Sequence, residues 1–176
     1  MKRQGASTAA LPMDSETRAT ADHHDALRLW LRLLATTNLI EGRVRRLLNE
    51  RFESTLPRFD LMAQLERAPA GLKMGELSQR LMVTGGNVTG ITDGLEREGL
   101  VERVVDSSDR RAFRVRLTAA GHKAFQSMAR EHGRWIIEAF RVLTTDDRSR
   151  LAALLGKVKG HVRGIEEAGP SRRKPR

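Results

Sequence analysis

The 176-residue chain sets 32 lysines and arginines against 22 acidic residues, for a formal net charge of +10, and contains no cysteine. That length suits one domain with extra elements, large enough to bury a core without staples. The missing thiols exclude a disulfide framework, a thiolate metal site and cysteine redox sensing.

No stretch approaches the ~18 consecutive apolar residues of a membrane span. The Ala6–Leu11 segment is too short and too polar for a secretory core. A cytoplasmic protein with no membrane partner is therefore expected. The charge is not confined to the ends, since residues 21–165 alone carry +7. A surplus held in the folded part points to a polyanion partner, nucleic acid first.

Residues 1–20 are rich in Ala, Ser and Thr and lack periodicity, as expected of a disordered arm. A long helix follows from Asp25 to Glu50, with Leu27, Trp30, Leu31, Leu34, Ile40, Val44, Leu47 and Leu48 along one stripe. Pro57 opens a second, shorter helix carrying Phe59, Leu61, Met62 and Leu65, which Ala68-Pro69-Ala70-Gly71 ends.

Met74–Leu81 reads as a short helix with Leu77 and Leu81 one turn apart, and Met82-Val83 as a turn. Thr84 then stands where an N-cap belongs, before a helix over Gly85–Glu98. That helix is expected to bury Val88, Ile91 and Leu95 and to expose Gly86, Asn87, Thr89, Gly90 and Asp93. Glycine costs about 1 kcal/mol against alanine in a helix interior. Gly85, Gly86, Gly90 and Gly94 therefore imply a close approach, either to a neighbouring helix or to the floor of a DNA groove. Asn87 can pair bidentately with adenine, and the Thr89 methyl can meet a thymine methyl.

Two strands come next, Leu100–Val105 and Phe113–Leu117, with Phe113, Val115 and Leu117 alternating with Arg114 and Arg116. Between them, residues 106–112 form a polar hairpin tip with adjacent Arg110 and Arg111, suited to phosphates or a narrow minor groove. Asp109 stands close enough to orient one of them.

Beyond this, one helix carries Phe125, Met128, Trp135, Ile136, Ala139 and Phe140, and another Leu151, Leu154, Leu155, Val158, Val162 and Ile165. Thr144–Asp147 separates them with N-cap chemistry. The terminal helices hold more apolar face than a domain of this size needs, as in a two-fold dimer or a single larger core. The Gly169–Arg176 segment reads as a basic, disordered tail.

The middle of the chain resembles the MarR family of bacterial transcription regulators. The matching residues are Glu76-Leu77-Ser78 with Leu81, Thr84 through Leu95-Glu96-Arg97-Glu98-Gly99-Leu100-Val101, Asp109-Arg110-Arg111-Ala112, and Leu117-Thr118-Ala119-Ala120-Gly121. The resemblance extends more loosely over residues 22–165. It implies a mainly α fold with a small β-wing. The expected layout is a winged helix-turn-helix DNA-binding domain at 57–117, a helical dimerisation region at 21–56 and 118–166, and a basic tail at 167–176.

It further implies that Thr84, Gly86, Asn87, Thr89 and Gly90 line the major-groove face. Arg111 would probe the minor groove with Asp109 orienting it, and Arg110 would meet phosphate. The expected protein is a homodimeric repressor of a near-palindromic double-stranded DNA site, not an enzyme and without a cofactor. Leu56–Asp60 and Thr84–Thr89 are similar to regulators of aromatic-acid catabolism. An effector of that kind, a small aromatic anion or aromatic acyl-CoA thioester, would draw on Trp30, Arg46, Arg58, Phe59, Met62 and Trp135, unless the tryptophans are plain core.

Two other readings remain. A nonspecific architectural DNA-binding protein would show more lysine and fewer polar side chains on the reading helix. A metal-responsive regulator of the same fold would use histidines, but no pair here has the i, i+4 spacing of a helical ligand pair.

Overall fold

A computed structural model describes residues 25–106, 109 and 112–168. The chain divides into two compact units, Met1–His132 and Gly133–Arg176.

The first unit begins with α1 (Asp25–Phe52) and α2 (Leu56–Glu66), the latter with proline in its first turn, where a missing N–H costs nothing. Next come β1 (Leu72–Lys73), α3 (Met74–Leu81), α4 (Gly85–Arg97), β2 (Val101–Val105) and β3 (Phe113–Leu117). Helix α5 (Ala119–Ala139) carries the chain into the second unit, which also holds α6 (Thr145–Ala168).

Described residues thus give a mainly helical chain with one three-stranded antiparallel sheet in the order β1-β3-β2. Val101 pairs with Leu117 and Val105 with Phe113, so the two expected strands do form one antiparallel hairpin. β1 is an addition to the sequence reading. Its two residues, Leu72 opposite Val115 and Lys73 opposite Arg114, are too few for any periodicity to reveal.

Fully buried Leu48, Leu61, Met62, Leu65, Leu77, Val88, Leu95, Val101 and Val115 form the core of the first unit. Each helix contributes its apolar stripe, and β3 contributes its inward residues. Val88 and Leu95 are fully buried as expected, whereas Ile91 is only half-buried and Thr92 takes the middle core position.

In the second unit, Thr144 and Asp147 build the expected helix start. The Thr144 backbone N–H donates to Asp147 Oδ2 at 3.0 Å, and the Asp147 N–H donates to Thr144 Oγ1 at 3.2 Å. Leu154, Leu155, Val158, Val162 and Ile165 lie exposed along α6, as do Leu27, Trp30 and Leu34 along α1.

One backbone approach leaves no room for a side chain. The Thr118 N–H donates to the Leu100 carbonyl at 3.1 Å, and the Gly121 N–H donates to Thr118 Oγ1 at 3.0 Å. Together these press the start of α5 onto that carbonyl. A Cβ at Gly121 would lie 1.9 Å from the Leu100 oxygen, whereas one at Gly75 meets nothing within 4 Å. Gly121→Ala is expected to destabilise the protein by roughly 3 kcal/mol in denaturant titration. Gly75→Ala should be neutral or slightly stabilising in the same assay.

Candidate nucleic-acid interface

The α3–α4 corner is fixed by backbone geometry. Met82 adopts a left-handed conformation at φ 54°, which ends α3 and reverses the chain. Ser78 Oγ donates to the Val83 carbonyl at 2.6 Å and closes the turn from inside. The Glu76 carboxylate accepts the Lys73 backbone N–H at 2.7 Å, which caps the start of α3. Thr84 does occupy the N-cap of α4, but its side chain makes no capping hydrogen bond. Its backbone carbonyl accepts from the Asn87 and Val88 N–H groups instead.

All five residues expected to face the major groove are exposed: Thr84, Gly86, Asn87, Thr89 and Gly90. They share the first two turns of α4. The Thr89 hydroxyl donates to the Gly85 carbonyl at 3.0 Å, which commits its proton within the helix. A Cβ added at Gly85, Gly86 or Gly90 would meet no atom within 4 Å, and one at Gly94 only the Arg97 side chain at 3.9 Å. Among the described residues, no neighbouring helix therefore explains these glycines.

Asp93, placed on the same face by sequence, is instead taken up by Arg103 of β2, which also pairs with Glu96. This double ion pair ties the second half of α4 to the sheet.

Asp109 is exposed at the hairpin tip, and its carbonyl accepts the Ala112 N–H at 2.9 Å. Arg110 and Arg111 lie outside the described residues. The sequence reading missed Asp106. It looked like one more polar tip residue, yet it is buried and paired with Arg114 at 2.5 Å and Lys73 at 3.6 Å.

The residues expected around an effector separate. Arg58 and Met62 line a cavity of about 330 Å³, together with Phe52, Ser54, Glu98, Leu100, Ala124, Ser127 and Met128. Trp30, Arg46 and Phe59 do not line it. Trp30 is exposed, Arg46 lies on the α1 surface 3.9 Å from Glu50, and Phe59 is buried 5.5 Å from the Phe125 ring and 4.8 Å from His132. Trp135 is buried and belongs to the second unit.

Two Arg58 nitrogens hold both carboxylate oxygens of Glu98, one at 2.8 Å, while its Nε is buried with no partner among the described residues. That ion pair holds the Glu98 carboxyl below its ordinary range. Glu98 is the C-cap of α4, so the cavity wall and this helix meet at this pair. No group of three or more metal-ligating side chains occurs among the described residues.

The MarR family model matches residues 54–113, from two residues before α2 to the first residue of β3. A solved MarR family transcriptional regulator from Silicibacter pomeroyi is 34% identical, with a TM-score of 0.67. The match covers 82% of this chain and 99% of that one.

The chain belongs to the MarR family. Among curated relatives, the HTH-type transcriptional regulator YkoM of Bacillus subtilis (strain 168) is 34% identical over 89 residues, covering 51% of this chain and 58% of that protein. The HTH-type transcriptional regulator PecS of Dickeya dadantii (strain 3937) is 28% identical over 106 residues, 59% of this chain and 64% of its own. The chain thus spans under two thirds of the length of these curated relatives. No described helix is long and apolar enough to cross a membrane.

Two groups between the helices titrate abnormally. Burial pushes His132 below its usual 6.5, opposed by the charge of Asp60, and burial pushes Asp60 above 3.8, opposed by His132 and aided by Glu41. Folded His132 therefore binds fewer protons than the unfolded chain does, so stability falls as pH drops through the ordinary histidine range. Melting temperature should decline from about pH 7.5 to about pH 5.5. His132→Gln should flatten this limb in a pH series of thermal melts.

Proposed function

We propose that this MarR-family chain is a DNA-binding transcriptional repressor that holds a near-palindromic operator as a homodimer. The first two turns of α4 enter the major groove. Asn87 reads adenine, and Thr89, its hydroxyl proton committed to Gly85, offers its methyl to thymine. Thr84, Gly86 and Gly90 complete the face. At the hairpin tip, Arg111 enters the minor groove with Asp109 orienting it, and Arg110 meets phosphate.

The observation that carries this reading is the face of α4. A helix that exposes glycine where any side chain would fit gives up stability for closeness to something outside the chain. The net charge of +10 supports a polyanion as that partner. The uncovered apolar residues of α1 and α6 support a second copy as the means of presenting two half-sites. A cytoplasmic location accords with such a regulator.

The effector in this reading is a small aromatic acid, free or as the acyl end of its CoA thioester. The 330 Å³ cavity offers a single ring the side chains of Met62 and Met128, and the Arg58 guanidinium on its wall supplies the donors. Its binding competes with Glu98 for Arg58 and so acts on the end of α4.

Gly90→Ala separates this reading from a purely structural one. It should raise stability by up to about 1 kcal/mol while weakening operator binding on the order of tenfold or more. Operators come from selection out of a random duplex pool, and a gain of stability with unchanged affinity would sink the groove assignment. For the effector, calorimetry with benzoate- and cinnamate-type acids and their CoA esters should show binding that Arg58→Met abolishes. No heat with any of them would remove the aromatic-acid reading.

A further inference from the structure

Asp106 directly follows β2, just before the hairpin tip, and its side chain is 1% exposed. A carboxylate taken that far out of water persists only where opposite charge and hydrogen bonds replace its hydration. Here they arrive from separate parts of the chain. Arg114 of β3 donates its Nε–H to Asp106 Oδ2 at 2.5 Å. Lys73 of β1 brings Nζ to 3.6 Å from the same oxygen. The backbone N–H of Asp109, at the tip itself, donates to Oδ1 at 3.1 Å.

The contacts continue toward the helix-turn-helix. Arg114 also donates Nη1–H to the Gly71 carbonyl at 3.0 Å and stands 3.9 Å from Glu76. Glu76 is the carboxylate that accepts the Lys73 N–H at the start of α3. A Cβ on Gly71, at φ 82°, would come within 2.8 Å of the Val115 carbonyl, so β1 is pressed against β3 where Arg114 crosses. One network therefore joins the hairpin tip, all three strands and the first turn of α3.

We infer that Asp106 is a positioning residue for DNA recognition, setting where the hairpin tip leaves β2 and β3 relative to the α3–α4 pair. This inference rests on the DNA-binding reading above. The points where the tip joins β2 and β3 are then set relative to α4 before DNA arrives, which lowers the ordering cost of binding. A hairpin held only by its own ladder would not need a buried carboxylate shared between β1 and β3.

The test uses the full-length protein and an operator selected from a random duplex pool, at a temperature where every variant is folded. Asp106→Asn keeps an acceptor for the Asp109 N–H but removes the charge that gathers Arg114 and Lys73. It should bind the operator on the order of tenfold more weakly. Its salt dependence should be shallower by about one released ion for each phosphate that the tip no longer neutralises, and amide hydrogen exchange at Ala112 should quicken. Arg114→Gln should weaken binding equally, and the double variant should bind no more weakly than either single one.

Unchanged operator affinity and salt slope in folded Asp106→Asn, with only a lower melting temperature, would overturn the inference. If that variant does not fold, Arg114→Lys decides, since it keeps the charge but not the forked geometry. Weaker binding with an intact melt supports positioning, and unchanged binding overturns it. Failure of the wild-type protein to select any operator would instead remove the DNA-binding reading itself.

Discussion

Helix α4 cannot hold itself together. Four of its thirteen residues are glycine, and its N-cap threonine offers no side-chain bond to the first turn. An isolated segment of this kind would be largely unfolded, because glycine forfeits backbone entropy that alanine retains. The helix exists because the rest of the first unit grips its other side. Val88, Thr92 and Leu95 are fully buried, and Arg103 holds Asp93 and Glu96 from the sheet. Arg58 takes Glu98 at the C-terminal end. Support comes entirely from behind and from the far end, which leaves the first two turns bare.

That division explains why so much of the unit is devoted to a short segment. The αL corner at Met82, the Ser78–Val83 bond and the Gly121–Leu100 approach each fix an element that abuts α4 or the strand behind it. In the proposed effector reading, the grip is also where regulation enters. A ligand in the cavity beside Arg58 need not move the core; it has only to change what Glu98 is bonded to. Small differential contacts suffice when the element they bias is already marginal.

Most helices were legible in the sequence because their signals are local. Pro57 marks the start of α2, and Thr144 with Asp147 marks the start of α6 three residues apart. The alternation in Phe113–Leu117 gives the strand. The exposed side of α4 was legible from the spacing of Val88 and Leu95 on its other side. What was not legible depends on partners distant in sequence. Asp106 looks like any turn aspartate until Arg114 and Lys73 are brought to it, the latter 33 residues earlier in the chain. Asp93 was read as facing outward because nothing in its own helix predicts Arg103. Of the six residues expected around an effector, Arg58 and Met62 line the cavity, while Phe59 spends its ring on Phe125 and His132 and the unremarkable Ser54 and Ser127 become wall.

The bare row of Leu154, Leu155, Val158, Val162 and Ile165 on α6 has a consequence for the abundance of the protein. In the proposed homodimer this surface leaves water only on pairing, so folding and association become one equilibrium. A cell that makes little of the chain would then hold it mostly in its less stable, protease-sensitive single form. Above the pairing threshold, each added copy protects another, and occupancy of a two-fold DNA site rises faster than the amount of protein. Dosage sensitivity would thus be written into one face of one helix, without any effector at all.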